Sequence, residues 1–296
     1  MKIKATRYSL ANLFMQPKGL LCFMSSIVLV LAFIASAGAY ILRGPHIIEL
    51  MVRQLGRPGT LLVSQRMMYY DDFFDKGVIE ARETVRYVFP HTFRCDSRSE
   101  NAERIWLVAH GDGLTIVDGK VAVTDEFQFD RYKDILLYRS RALLAARLSY
   151  LGVDITATSF ERFEDGIVLV MGTEARDTRV NQVWVDKETF KPVRWLMPGQ
   201  DMDGRHFMRE IRYRDWRQVN SAWYPMHIQF FQDDILVREI RVDQMKVNPV
   251  FPEELFDISR LRFEHLAETM ETDDEKVSDE LNEVQETIDE FRKKYE

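Results

Sequence analysis

Leu114-Thr115-Ile116-Val117-Asp118-Gly119-Lys120-Val121-Ala122-Val123 decides the fold class. Two β-branched runs flank an Asp-Gly pair, and Asp-Gly supplies the positive φ angles that a two-residue hairpin turn requires. Phe160-Glu161-Arg162-Phe163-Glu164-Asp165-Gly166-Ile167-Val168-Leu169-Val170 repeats the device. Further hairpins are expected around Asp186 to Lys191, at Asn220-Ser221 and at Asp233-Asp234. Turns every dozen to twenty residues predict longish strands in an antiparallel meander.

Two stretches depart from this period. After Gly44-Pro45, residues Ile47, Ile48, Met51, Val52 and Leu55 share one helical face. Pro45 suits the first turn, and Gly56 suits the stop. Between Arg131 and Leu151, residues Leu137, Leu144, Leu148 and Leu151 recur at helical spacing, and Arg139, Arg141 and Arg147 are expected on the surface. One helical insertion in a meander predicts a curved sheet with a helix packed on one side. The aromatic residues Trp106, Phe127, Phe129, Trp184, Trp195, Trp216, Trp223, Phe230 and Phe231 fill an ordinary core on this reading.

The ends differ from the body. Met1 to Lys18 carries Lys2, Lys4, Arg7 and Lys18 and no acid, and Gly19 to Leu42 is uncharged. A basic flank, the apolar run Ile27 to Ile34 and Ala37-Gly38-Ala39 form the three regions of a secretory signal, cleaved after Ala39. An uncleaved anchor is the alternative, since a bilayer needs roughly 20 apolar residues. Cys22 follows Leu20-Leu21, without the small residues of a lipidation site. The expected organisation is therefore a signal or anchor over 1–39, a β domain over 40–262 and a helical tail over 263–296. The expected location is the periplasm, or the inner membrane surface if the segment is retained.

The net charge is −7, and residues 264–296 hold 13 acids against 4 bases. The body is thus nearly neutral, with no basic face for nucleic acid. In the tail, Val277, Leu281, Val284, Ile288, Phe291 and Tyr295 alternate steps of four and three, an a/d seam on an acidic helix. That seam suits either a partner helix or packing back on the body.

No catalytic kit is apparent. The six histidines, His46, His91, His110, His206, His227 and His265, show no paired metal-ligand spacing. His110-Gly111-Asp112-Gly113 reads as a turn, and no serine stands in a nucleophile elbow. Cys95 lies among Arg94, Asp96 and Arg98, charges that could lower its pKa, but has no resolving cysteine and reads as an inert thiol. Asp71-Asp72, Asp201/Asp203 and Asp233-Asp234 stand at turn positions. These residues predict neither an enzyme nor a metal or cofactor.

Val183-Trp184-Val185-Asp186-Lys187-Glu188-Thr189-Phe190-Lys191-Pro192-Val193-Arg194 resembles the hairpin of the LolA-like outer-membrane lipoprotein-sorting proteins. Ile211 to Trp216, Trp223 to Ile228, and Ile240 to Asn248 with Phe256 are similar to that family's following strands. The resemblance covers roughly residues 180–260. It implies a half-open antiparallel barrel with an apolar concave side partly lidded by helices. It also implies a periplasmic carrier of lipid or lipoprotein acyl chains. The residues expected against an acyl chain are Trp106, Leu137, Leu144, Leu148, Leu169 and Trp184. An accessory protein of an envelope transport complex, docked through residues 264–296, is the alternative.

Overall fold

The computed structural model describes residues 41–70, 77–122, 128–175, 177, 179–200 and 204–271. The export segment, the acid pairs Asp71-Asp72 and Asp201/Asp203, Phe127 and the heptad seam from Val277 onward lie outside the described residues.

Among the described residues, thirteen strands form one antiparallel sheet. The first meander is β1 (Thr60–Tyr70), β2 (Val78–Val88), β3 (Thr92–Arg98), β4 (Glu103–Ala109), β5 (Asp112–Val117) and β6 (Lys120–Ala122). The second is β7 (Thr158–Phe163), β8 (Gly166–Met171), β9 (Gln182–Asp186), β10 (Pro192–Gln200), β11 (His206–Val219), β12 (Ala222–Gln232) and β13 (Ile235–Val247). The strand order is β6-β5-β4-β3-β2-β1-β13-β12-β11-β10-β9-β8-β7. Antiparallel pairing of β1 with β13 joins the two meanders into a sheet that does not close.

Turn chemistry accounts for the hairpins. Asp118 and Gly119 have φ of 48° and 80°, and Asp233 and Asp234 have φ of 50° and 66°. Asn220 and Phe190 also take positive φ. The β7–β8 turn sits one residue earlier than Asp165-Gly166 suggests: Glu164 takes φ 52°, and Gly166 already belongs to β8. His110 and Gly111 make the β4–β5 turn at φ 53° and 89°.

The helices follow from connectivity. The β6–β7 link must pass from one sheet edge to the other, and it does so through a 3-10 turn (Gln128–Arg131) and two helices. The expected single helix over 131–151 is divided into α2 (Tyr132–Leu137) and α3 (Arg141–Tyr150). The break holds Arg139, which is buried rather than on the surface. Its guanidinium donates to the Leu55 carbonyl, to Leu136 O at 2.8 Å and to Trp223 O at 3.4 Å. One side chain thus satisfies carbonyls from a preceding helix, its own segment and the sheet, which no helical Arg139 could reach.

That preceding helix is α1 (Gly44–Leu55), with Pro45 in its first turn and Ile47, Ile48, Met51, Val52 and Leu55 buried, as the sequence spacing predicts. Each such burial contributes roughly 1.5–3 kcal/mol. Gly56 stops the helix at φ 83°, where a Cβ would lie 1.9 Å from the Ser221 carbonyl. Helix α1 packs on α3 and β12. Among the described residues, no helix is long and apolar enough to cross a membrane. The last helix, α4 (Ile258–Glu271), packs on β5 and β6 through Leu261, and Gly119 O lies 2.9 Å from His265 Nδ1.

Candidate functional site

The concave face is built by register. Across β1 to β4, Leu61, Tyr87, Phe93 and Val108 stand opposite one another in one row. The next row is Val63, Val85, Cys95 and Trp106. In the other half, Phe230, Ile211, Trp195, Val183 and Met171 continue the same face across β12 to β8. These residues belong to one buried cluster with α1, α2 and α3. The apolar surface is therefore continuous across the sheet and covered by short helices.

A polar row interrupts it. Gln65, Glu83, Ser97 and Arg104 pair successively across β1, β2, β3 and β4, two residues along from the valine row. Asp130 enters from the 3-10 turn and accepts from Arg104 Nη2 at 2.9 Å and from Arg238 at 3.3 Å. Glu83 accepts from Gln65 Nε2 at 2.7 Å. Tyr132, Cys95 and Trp106 complete the walls of a small gap among these groups, with room for about one water molecule. Lys133 lies 4.0 Å from the Trp106 ring centre, a cation–π contact that helps to hold α2 on the sheet.

The electrostatics of the gap are asymmetric. Burial works to raise the Asp130 pKa, but Arg104 and Arg238 outweigh it and hold that carboxyl below its ordinary value. Glu83 has the opposite fate: burial raises its pKa, and the nearby Arg238 and the Gln65 hydrogen bond offset only part of that. Burial also pushes the Cys95 thiol well up. Its charged sequence neighbours are of little help to a thiolate, because strand alternation turns Arg94 and Asp96 to the other face, where they pair with each other.

Of the six residues expected to meet an acyl chain, five are together. Trp106, Leu137, Leu144, Leu148 and Leu169 share the main buried cluster. Trp184 does not join them. It alternates with Val183 and Val185, which face the main cluster, and packs with Val168, Val170 and Leu196 on the opposite face. Sequence reading missed the polar row altogether, because its members are isolated ordinary residues until the strands are in register. A charged Arg-x-Trp pattern at Arg104 and Trp106, on one face by period two, was the available signal.

No protein-family model matches the chain, and no curated protein matches it. Among solved structures, it is similar to an outer membrane lipoprotein-sorting protein domain from Vibrio parahaemolyticus, at 12% identity and TM-score 0.47, over 74% of this chain and 98% of that one. It is also similar to a DUF1329 family protein from Desulfovibrio piger, at 11% identity and TM-score 0.47, over 73% and 98%. A LolA superfamily protein from Nitrosomonas europaea matches at 13% identity and TM-score 0.43, over 74% and 99%.

Proposed function

We propose that the protein is an envelope carrier that shields acyl chains of a lipid or lipoprotein against its concave face. One observation supports the reading most: a continuous apolar face on an open sheet, covered by three short helices instead of a second sheet. In the conformation described, Leu137, Leu144 and Leu148 occupy that face and are fully buried. An acyl chain therefore takes their place against residues such as Trp106 and Leu169 when α2 and α3 move outward. The exchange is apolar for apolar. A chain gains about 0.8 kcal/mol per methylene withdrawn from water, which offsets the helix contacts given up. On this reading the N-terminal segment is an export signal or a retained anchor, and the carrier works in the periplasm.

Native mass spectrometry of the protein isolated from an envelope fraction tests this directly. The carrier reading expects a co-bound species of lipid mass that dissociates on activation. A single bare mass, unchanged after incubation with lysolipid, counts against it.

A second reading, an accessory protein docked through its C-terminal helix, draws on α4. Leu261 holds that helix to the body, while Phe263 is 74% exposed on it. Removing residues 264–296 discriminates: loss of partner capture with lipid binding intact assigns docking to the tail.

A further inference from the structure

We infer that Arg104 and Arg238 form a binding site for an anionic headgroup, a phosphate or carboxylate on the carried amphiphile, and that Asp130 occupies this site when the carrier is empty. The inference rests on the carrier reading, because Asp130 withdraws only if the segment bearing it moves.

The two arginines belong to the sheet, whereas their shared carboxylate belongs to the covering segment. Arg104 is on β4 and Arg238 on β13, while Asp130 lies in the 3-10 turn that leads into α2. Outward movement of α2 would thus separate the anion from both cations. Arg238 keeps its place without Asp130. Its guanidinium carbon lies 4.7 Å from the Phe230 ring centre and 5.4 Å from that of Tyr69, and Nε is 2.7 Å from the Met67 sulfur. Arg104 lies 5.3 Å from the Trp106 ring centre.

The other acid lining the gap does not substitute. Glu83 accepts from Gln65, whereas Arg104 Nη2 and both terminal nitrogens of Arg238 donate to Asp130. Access is available on one side, since the Arg104 side chain is 36% exposed, against 6% for Arg238. An anion can therefore reach Arg104 first and Arg238 as Asp130 leaves. Two forked guanidiniums are the donors that phosphate and carboxylate recognition favours. The apolar rows beside them place a chain next to its headgroup.

Isothermal titration of the full chain with three probes tests the proposal: lysophosphatidate, a monoacylglycerol with the same chain, and inorganic phosphate. Lysophosphatidate is expected to bind at least about tenfold more tightly than the monoacylglycerol. Arg104→Gln is expected to abolish that preference. Asp130→Asn, which removes the internal competitor, is expected to tighten lysophosphatidate binding about tenfold. Should either variant fail to fold, the preference of the wild-type chain still decides. Equal binding of both amphiphiles overturns the headgroup site and leaves the carrier reading standing. Binding of none of the three probes overturns both. Phosphate alone binding as tightly as lysophosphatidate overturns the headgroup of a carried amphiphile and counts against the carrier as well.

Discussion

Arg104 and Arg238 stand on strands four places apart in the sheet, yet both donate to one carboxylate, that of Asp130. Strands are spaced about 4.8 Å apart, so a flat sheet would separate the two backbones by roughly 19 Å. The two long side chains and the carboxylate between them bridge that separation. The shared contact also ties the covering segment to both meanders at once.

Asp130→Asn is therefore expected to destabilise the protein by about 3–5 kcal/mol, because it leaves the buried Arg238 and the half-buried Arg104 without their anion. Urea denaturation at neutral pH measures the loss. Replacing the trio together, Asp130→Asn with Arg104→Met and Arg238→Met, is expected to recover much of it, since no buried charge is then stranded.

Stability is expected to depend on pH with two opposing contributions. Asp130, Glu210 and Glu239 have folded-state pKa values held below the ordinary range against the cost of burial, Glu210 by Arg194 and Arg212 and Glu239 by Tyr70, Arg241 and His227. Their stabilisation is present above the unfolded carboxylate pKa of about 4 and is lost as pH falls through the lower folded values. Glu83 is raised by burial, so the folded state binds its proton more tightly than the unfolded chain does. Its contribution therefore declines as pH rises from about 4 through the raised folded value. Glu83→Gln removes that second effect. It is expected to raise the melting temperature at pH 8, by the equivalent of about 1 kcal/mol, and to have little benefit near pH 4. Thermal melts of the two proteins at both pH values check the sign.

Among the described residues Arg139 has no carboxylate partner, and burial lowers its pKa to about 10, so it stays charged at neutral pH. Its donors satisfy main-chain carbonyls at the end of α1, in α2 and in β12. Arg139→Met is expected to cost about 2–4 kcal/mol by leaving those carbonyls unmet. Arg139→Lys should recover little, because one ammonium cannot span acceptors on three elements. Differential scanning calorimetry of the three proteins gives the comparison.

The hairpins were legible because positive φ demands a short list of residues, and Asp118-Gly119, Asn220 and Asp233-Asp234 belong to it. Helix α1 was legible for a similar reason: its apolar period and both end signals agree. Arg139 misled because arginine is usually exposed, and only the tertiary neighbours of the break between α2 and α3 give it buried acceptors. Trp184 misled because its bulk suggests the main core, whereas period two assigns it to the other face beside Val183 and Val185. The polar row left one local trace, Arg104 two residues from Trp106: Gln65, Glu83, Ser97 and Arg104 come from four strands, and only inter-strand register sets them side by side.

The division of tryptophans between the two faces offers the most direct test of the carrier reading. Trp106 and Trp195 lie in the concave core, and Trp184 lies on the opposite face. Quenching of tryptophan emission by fatty acids brominated along the chain should be saturable in the wild type. It should weaken in Trp106→Phe and Trp195→Phe and persist in Trp184→Phe. Quenching that never saturates, or that disappears only with Trp184, would contradict an acyl chain bound in the concavity.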